Sequence, residues 1–302
     1  MSNILIFGST GLLGSNFILK NNFNHNIYGF ENKRKIKFKN IQTTRFKFNK
    51  KNLRSFLDKK KIEFIINFSA MTSIDNCEKN KKQAYVPNVK NVEIICKVIK
   101  HTNIKLIHIS TDHIFKNKNK KFDEKSVRKS WNYYSYTKIM AENIIVRSLK
   151  RYIILRTSFF GWGTRYRRSF SDNILNDLEK NKTRHYWKDV YFNPVYVGFL
   201  ASLILKFIKK NKLNGIFNIC TNNKISKFLF ARKIASKFNK SSKLILSNKI
   251  NYKLVVQRPK NMVLSNSLIK KIFPEMSKKF SLDYQINMMK KDKKIKLDLL
   301  NL

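Results

Sequence analysis

A tyrosine and a lysine four residues apart are the side chains in this sequence that most directly suggest catalysis. Tyr134 and Lys138 lie in the stretch NYYSYTKIMAEN, residues 132–143. If the stretch is helical, both side chains lie on one face, one turn apart. A lysine in this place can make a phenol acidic, because its positive charge favours the phenolate. The alternative is a surface helix whose aromatic residues are incidental.

Three glycines follow the first apolar run of the chain. Gly8, Gly11 and Gly14 lie in FGSTGLLG, although the whole chain has only eight glycines. Glycine lets the backbone approach a pyrophosphate, and the N-terminus of a following helix supplies free N–H groups and a positive dipole. The segment predicts a dinucleotide-binding loop, with the spacing G-x-x-G-x-x-G rather than the commoner G-x-G-x-x-G.

Charged residues follow the second apolar run, HNIYGF. Glu31 could accept hydrogen bonds from an adenosine ribose, which favours NADH. Lys33 and Arg34 could instead hold a 2′-phosphate, which favours NADPH. A solvated charged loop is the other interpretation, and the sequence does not decide between the two cofactors.

A polar group also follows the buried run IKLIHIS. Ser110, Thr111 and Asp112 come at its end, and ligands bind at the carboxyl ends of strands in parallel sheets. A hydroxyl there could donate a hydrogen bond to a substrate carbonyl. A capped turn is the alternative.

Apolar runs alternate with helix-like segments through the first half of the chain. The continuous runs EFIINFSA and IKLIHIS are typical of strands buried on both faces of a parallel sheet. RFKFN predicts a weaker third strand, and residues 86–102 predict an amphipathic helix with Pro87 in its first turn. We therefore expect an α/β fold with a Rossmann-like, doubly wound parallel sheet.

After about residue 156 the alternation loosens, which indicates a smaller C-terminal substrate-binding lobe. We expect a dinucleotide-binding domain of residues 1–155 and about 187–220, and a lobe of about 156–186 and 221–302. VYVGFLASLILKFIKK predicts a strongly apolar helix, and Ser226 is expected to cap another.

Composition argues against several classes of protein. The chain has 302 residues, of which 42% are hydrophobic, so it can bury a sizeable core. Its three cysteines lie far apart and its five histidines form no HxxxH or HExxH pattern. We therefore expect a cytoplasmic protein without a metal site. No window has the 18 apolar residues typical of a membrane span.

The formal net charge of +46 invites a nucleic-acid interpretation. The lysines, however, are spread along the whole chain together with abundant Asn, Ile and Phe, and no nucleic-acid-binding motif accompanies them. Such diffuse charge is typical of biased genome composition, so we expect no nucleic-acid partner. A basic surface would still attract phosphorylated small molecules.

Read in order, the motifs resemble the extended short-chain dehydrogenase/reductase family over nearly the whole chain, and most closely its dTDP-4-dehydrorhamnose reductases. MTSIDNCEKN resembles their T-x-V-D-x-A-E, STDHIF their S-T-D-Y-V-F, and YSYTKIMAE their Y-G-x-x-K-x-x-G-E. ILRTSFFG resembles R-T-S-W-V-Y, and RPKNMVLSNSLI resembles R-P-x-N-S-x-L-D. The resemblance implies reduction of the 4-keto group of a nucleotide-linked deoxysugar by NADPH or NADH, for surface polysaccharide biosynthesis, in a possible homodimer.

The resemblance also implies roles for single residues. Tyr134 would donate a proton to the sugar C4 oxygen, Lys138 would lower the pKa of Tyr134 and hold the nicotinamide ribose, and Thr111 would orient the carbonyl. Tyr133 and Tyr136 would face elsewhere. The implied cofactor-binding residues are Gly8, Thr10, Gly11, Leu12, Leu13, Gly14, Glu31, Lys33, Arg34, Ser69, Ala70, Asn88, Tyr134 and Lys138. The implied substrate-binding residues are Thr72, Asp75, Asp112, Phe159 and Trp162, with Glu78 on the same side. Asp75 and Glu78 could equally belong to a capped helix start.

The sequence departs from the family pattern in the substrate half. Phe159 stands where the family has tryptophan, and Trp162 is a candidate to replace that ring. Asp189 and Pro194 keep the spacing of the family's D-Q-x-G-x-P-T, whose Gln, Gly and Thr are absent.

Two further interpretations remain open. An epimerase or 4,6-dehydratase of the same superfamily is one, although dehydratases carry glutamate where this chain has His113. A non-catalytic dinucleotide-binding subunit, resembling the regulatory subunit of methionine adenosyltransferase, is the other.

Overall fold

A seven-stranded parallel sheet forms the centre of the protein. It is seen in a computed structural model that describes residues 1–21, 24–31, 38, 41–115, 120–164, 166–250 and 256–300. The strands are β1 (Asn3–Phe7), β2 (Asn26–Phe30), β3 (Gln42–Thr44), β4 (Phe64–Asn67), β5 (Lys105–Thr111), β6 (Tyr152–Thr157), β7 (Phe159–Phe160), β8 (Arg184–Trp187), β9 (Tyr191–Phe192), β10 (Val195–Tyr196), β11 (Gly215–Ile219), β12 (Ile225–Ser226) and β13 (Ile245–Asn248).

The order of strands in the main sheet is β3-β2-β1-β4-β5-β6-β11, with every neighbouring pair parallel. The chain reverses its winding direction between β1 and β4, which is the topological switch point of a doubly wound sheet. The predicted Rossmann-like fold is therefore confirmed.

Helices cover both faces of this sheet. They are α1 (Leu12–Asn21), α2 (Lys50–Lys59), α3 (Ile74–Lys79), α4 (Lys81–Tyr85), α5 (Asn91–Ile99), α6 (Tyr133–Ser148), α7 (Phe170–Glu179), α8 (Val197–Lys209), α9 (Lys227–Lys237), α10 (Ser267–Ile272), α11 (Leu282–Lys291) and α12 (Lys293–Leu300). A π-helical turn, Val86–Lys90, joins α4 to α5, and a 3₁₀ segment, Pro274–Phe280, follows α10.

Alternate residues of each strand enter different cores. In β1, Ile4 and Ile6 pack with the residues of α1 and α8, whereas Leu5 and Phe7 pack with those of α2, α5 and α6. Both sets are buried, which explains why the strand is a continuous apolar run rather than an alternating one.

Two local predictions were wrong in their details. RFKFN is not a strand: the third strand, β3, ends just before it. The rings of Phe46 and Phe48 in this segment pack against Phe30. The helical run that contains Pro87 begins earlier than predicted, with α4. Pro87 lies in the π-helical turn that follows α4. The wider turn accommodates a ring that would break a regular α-helix.

The second half of the chain adds short strand pairs outside the main sheet. β7 pairs with β10, β9 with β12 and β8 with β13. Phe160 and Phe230 from this part belong to the same hydrophobic core as Ile6 of the main sheet. Ser226 caps α9 by accepting a hydrogen bond from the Leu229 N–H, as predicted. The division into two lobes stays a prediction.

Within the described ranges, no helix is long and apolar enough to cross a bilayer, and no three His, Cys, Asp or Glu side chains are grouped to hold a metal ion. The three cysteines are free and buried, and burial raises the pKa of Cys77 to about 11 and that of Cys96 to about 12. These thiols are therefore protonated and unreactive near neutral pH.

A buried carboxylate attaches α6 to the sheet. Glu142 is fully buried and accepts hydrogen bonds from Arg156 of β6, Ser110 of β5 and Arg128. Burial alone would raise the pKa of Glu142, but the hydrogen bonds and charges of the two arginines, with the Ser110 hydroxyl, outweigh it and hold the pKa below its usual value.

Removing the principal partner of Glu142 should destabilise the protein strongly. Arg156→Met leaves a buried carboxylate without its bidentate donor, so we predict a loss of roughly 3–5 kcal/mol in the free energy of unfolding at pH 7. Urea denaturation would measure it. The control is Arg184→Met, which removes an exposed arginine paired with Asp177 at the surface and should change stability little. Equal effects of the two substitutions would contradict the anchoring role of Glu142.

Candidate active site

A cleft of about 1080 Å³ opens at the carboxyl ends of the parallel strands. This exceeds the volume of a typical site for one small ligand, so a dinucleotide and a second molecule can share it. The residues singled out from the sequence that line it are Gly8, Thr10, Gly11, Leu12, Leu13, Gly14, Glu31, Ser69, Ala70, Thr72, Ser110, Thr111, Asp112, Tyr134, Lys138 and Phe159.

The glycine loop has the geometry that a phosphate-binding turn requires. Gly8 has a φ of +81°, and an added Cβ would lie 2.8 Å from the Ser69 backbone nitrogen. The Gly8 carbonyl accepts from the Gly11 N–H at 3.0 Å, and α1 begins at the next residue. The helix N-terminus thus faces the cleft and can hold an anionic group.

A capping box fixes the start of α6. The Asn132 side chain accepts from the Ser135 N–H at 3.0 Å, and the Ser135 hydroxyl accepts from the Asn132 N–H at 3.1 Å. Glu78 adds a third contact by accepting from the Tyr133 N–H at 2.8 Å. Glu78 therefore positions the helix instead of lining the cleft, and Tyr134 follows in its first turn.

Tyr134 is a protonated phenol. Its side chain is almost wholly buried, and burial raises its pKa to about 12, while a hydrogen bond with Thr111 acts in the opposite direction. Arg167 also lowers the pKa and Asp112 raises it. A phenol with this pKa keeps its proton at neutral pH and is available as a donor.

The expected effect of Lys138 on Tyr134 is not what the structure shows. Lys138 is not among the groups that lower the pKa of Tyr134. Its amine is occupied elsewhere, 3.1 Å from His108 Nε2 and donating to the Ile109 carbonyl at 2.7 Å. Lys138 nevertheless lines the cleft one turn from Tyr134, where it can contact a ribose.

The neighbouring tyrosines lie away from the reacting face, as expected. Tyr136 is 46% exposed, and its ring lies 5.8 Å from that of Tyr133. Lys81 lies over the other ring of this pair, at 5.6 Å from the Tyr133 centroid. Neither tyrosine lines the cleft in the part of the chain that the structure describes.

Three residues that were predicted to bind a ligand do not line the cleft. Trp162 is buried in the core, where its indole N–H donates to the Met289 carbonyl, so it cannot stack on a ligand in the cleft. Asn88 is buried and binds the Met71 backbone and the Thr137 hydroxyl. Asp75 forms a bidentate ion pair with Arg258, at 2.7 and 2.8 Å.

The two remaining candidates are Lys33 and Arg34. They lie outside the described residues, so their contact with a cofactor stays a prediction.

Several residues that line the cleft were not predicted from the sequence. Arg45 and Lys47 line the cleft with Glu31, and Arg167 and Arg168 line it with Phe159. The arginine pair in RYRRSF, next to a predicted ligand-binding segment, was a signal for an anion site. The cationic lining favours a ligand with several negative charges.

His113 also lines the cleft and was not predicted to bind a ligand. Burial lowers the pKa of His113, and the charges of Lys227 and Arg258 lower it further. The Asp112 carboxylate acts in the opposite direction and raises it. Its ring centroid lies 6.2 Å from that of Tyr134, and its buried Nδ1 atom has no hydrogen-bond partner among the described residues. A neutral imidazole therefore lies beside the phenol.

Comparison with known proteins adds independent evidence. The model of the RmlD substrate binding domain family matches residues 1–290. A dTDP-4-dehydrorhamnose reductase of Aggregatibacter actinomycetemcomitans is 26% identical over 288 residues, which cover 90% of this chain and 94% of that protein.

Solved structures share the fold. A hypothetical dTDP-4-dehydrorhamnose reductase from Sulfolobus tokodaii superposes with a TM-score of 0.77 and 28% identity, covering 90% of this chain and 94% of that one. The enzyme of that name from Bacillus anthracis, solved in complex with NADP, superposes with a TM-score of 0.76 and 22% identity, covering 90% and 92%. At 22% identity the likeness shows the fold alone.

Two glycine substitutions should separate binding from folding. We predict that Gly11→Val, at a position that lines the cleft, weakens NADPH and NADH binding by more than about tenfold in titration calorimetry, because the added bulk obstructs the backbone approach. Gly14→Ala should instead lower the melting temperature, because its Cβ would lie 2.2 Å from the Gly8 carbonyl oxygen. A folded Gly11→Val variant with the parent's affinity would place the phosphate site elsewhere.

Proposed function

The chain belongs to the RmlD substrate binding domain family of the extended short-chain dehydrogenase/reductases, and from this membership we propose that it reduces the 4-keto group of a nucleotide-linked deoxysugar. It is an NAD(P)-dependent enzyme of the short-chain dehydrogenase/reductase type. A role in surface polysaccharide biosynthesis, a cytoplasmic location and a possible homodimer belong to the same proposal.

One observation carries the proposal. The glycine loop, the hydrogen-bonded pair of Thr111 and Tyr134, and Lys138 all line a single cleft. A dinucleotide over the loop and a sugar beside Tyr134 would therefore meet in the same cleft. Bound NADPH or NADH supplies the hydride.

The side chains around the phenol suit the second half of the reaction. Hydride addition to a ketone leaves an alkoxide unless a proton arrives with it, and Tyr134 holds that proton in a buried position. The Thr111 hydroxyl can bind the same carbonyl oxygen and orient it. Lys138 holds the nicotinamide ribose in this account.

The cationic lining suits the nucleotide part of the substrate. Arg167 and Arg168 can bind the diphosphate, with Arg167 also donating to the Thr72 hydroxyl. Phe159 offers a ring for a base, smaller than the tryptophan of the family pattern. His113 and Asp112 can hydrogen-bond the hydroxyls of the sugar.

Cofactor choice rests on one end of the cleft. Glu31 can accept from the ribose hydroxyls of NADH, whereas Arg45 and Lys47 offer positive charge to the 2′-phosphate of NADPH. Both cofactors therefore belong in any assay.

The two other interpretations have less support. A 4,6-dehydratase needs a carboxylate where this chain has His113, whose lowered pKa keeps it uncharged. A non-catalytic subunit finds no support in the matched relatives described above, which bear the names of reductases.

The experiment that tests the function is a substrate screen. The protein is mixed with NADPH or NADH and with dTDP-, GDP-, UDP- or CDP-linked 4-keto sugars, and loss of absorbance at the nicotinamide band is followed. We expect oxidation of the cofactor with at least one of them. No oxidation with any of these sugars, by protein that binds the cofactor, would contradict the proposal.

Substitution of the phenol gives the sharpest kinetic prediction. Tyr134→Phe should lower kcat by about 10²- to 10⁴-fold, the usual contribution of a positioned acid, and leave cofactor affinity nearly unchanged. Lys138→Met should also raise the KM for the cofactor, because it removes a ribose contact. Tyr136→Phe is the matched control and should be nearly silent. A slow Tyr136→Phe enzyme beside a normal Tyr134→Phe enzyme would show that the proton donor is misassigned.

A further inference from the structure

A buried chain of three side chains ends at Lys138. The amide nitrogen of Asn67, in β4, lies 3.2 Å from His108 Nδ1. On the other side of the ring, His108 Nε2 lies 3.1 Å from the Lys138 amine. All three side chains are at most 2% exposed. Because the three side chains are buried, the direction of each hydrogen bond follows from the protons that the groups themselves carry.

The orientation of the first group is fixed by the backbone. The Ser69 N–H, which can only donate, donates to Asn67 Oδ1 at 3.0 Å. The amide NH₂ of Asn67 must therefore point at His108, because the reversed amide would set two donors against each other at Ser69.

The histidine tautomer follows from that orientation. His108 Nδ1 faces a donor and must accept, so it carries no proton. Burial, and then the charge of Lys138, lower the pKa of His108 well below its ordinary value, so the ring is neutral and its single proton is on Nε2. This N–H points at the amine of Lys138.

Lys138 must therefore offer a lone pair to be well bonded. An uncharged amine can accept from His108 Nε2–H and still donate to the Ile109 carbonyl at 2.7 Å. An ammonium has no lone pair. With an ammonium, two donors would face each other at one of the three contacts, Ser69–Asn67, Asn67–His108 or His108–Lys138. This holds whether the His108 proton is on Nδ1 or on Nε2.

The surrounding charges do not remove this conflict. Glu142, on the same helix, favours the ammonium, but it is already paired with Arg156 and Arg128. Tyr134, the other titratable group on this face of α6, is a neutral phenol, and Cys77 from α3 is a neutral thiol.

We propose that His108 is a positioning residue, held as its Nε2–H tautomer by Asn67, and that it makes the uncharged amine the better-bonded form of Lys138. The inference deepens the proposed reduction and rests on it for its functional meaning. Consistent with it, burial lowers the pKa of Lys138 from 10.5 to about 8.

The arrangement has a use in turnover. After Tyr134 gives its proton to the carbonyl oxygen, the tyrosinate must receive another proton before the next cycle. A lysine that gains and loses its proton near neutral pH can exchange with water and release a proton toward that phenolate more readily than an ordinary lysine. The gain of a proton by Lys138 must be accompanied by a rearrangement of the His108 ring proton.

The first test uses the parent protein without substrate. Protein labelled with ¹⁵N-histidine has five histidines, and His108→Gln identifies the signal of His108. At pH 9.5 the signal should show the Nε2–H tautomer, and it should change as the pH falls through the Lys138 titration without becoming imidazolium. An Nδ1–H tautomer at pH 9.5 would overturn the proposal.

The second test reverses the chain of hydrogen bonds. Asn67→Asp provides acceptors to both Ser69 and His108, which should move the ring proton to Nδ1 and let Nε2 accept from a lysine ammonium. His108→Gln lets an amide oxygen face Lys138 and adds no charge. Trace acetylation over a range of pH, read by mass spectrometry of the Lys138 peptide, measures the protonation of this amine.

Both substitutions should raise the midpoint of Lys138 by more than one pH unit, an acid dissociation at least about tenfold weaker. Lys227 is the internal control, because burial also lowers its pKa to about 8 while its amine lies over the ring of Phe192. Its midpoint should not move. A higher Lys138 midpoint in Asn67→Asp alone would mean that the added charge causes the shift. An unchanged midpoint in both variants would mean that burial alone sets the Lys138 pKa. Either outcome overturns the proposal.

A pH profile separates positioning from a merely structural role. With a sugar that the enzyme reduces, kcat/KM is measured over a range of pH in the parent and the variants. The part of this profile that follows the titration of Lys138 should shift together with the midpoint from acetylation. The labelling and the spectra need no sugar, so they judge the role of His108 even if the screen fails to find a substrate.

Discussion

The attachment of α6 to the sheet through the Glu142 carboxylate is the constraint on which the candidate site depends. Glu142 is fully buried and bound by Arg156 and Arg128, so the helix cannot slide along the sheet without leaving a buried charge unpaired. Tyr134 and Lys138 precede it at steps of four residues and share its face. The ion pair thereby sets the positions of both side chains against the end of β5.

The sequence was sufficient for the features that local patterns encode. Continuous apolar runs predicted the strands of a parallel sheet, and glycines directly after β1 predicted the turn that the φ of Gly8 requires. The spacing of Tyr134 and Lys138 predicted a shared helical face at the cleft. Each of these depends on neighbours within a few residues, which is why pattern and propensity sufficed.

The sequence was not sufficient where distant partners decide the outcome. Lys138 was expected to act on Tyr134, but its amine binds His108, thirty residues away. Trp162 was expected at the ligand because of its ring, yet the Met289 carbonyl holds its indole in the core. Asn88 likewise finds its partners in Met71 and Thr137. Such contacts are set by the packing of elements that are far apart in the chain.

We propose that hydride passes in this cleft from a nicotinamide cofactor to C4 of a nucleotide-linked sugar. Transfer of deuterium from NADPH or NADH deuterated at the transferable position of its ring is the most direct measurement of that claim. The product of a dTDP-linked 4-keto-6-deoxy sugar should carry deuterium at C4, with one cofactor oxidised for each sugar reduced. A product without deuterium at C4, or a sugar that changes while the cofactor is not consumed, would contradict the account.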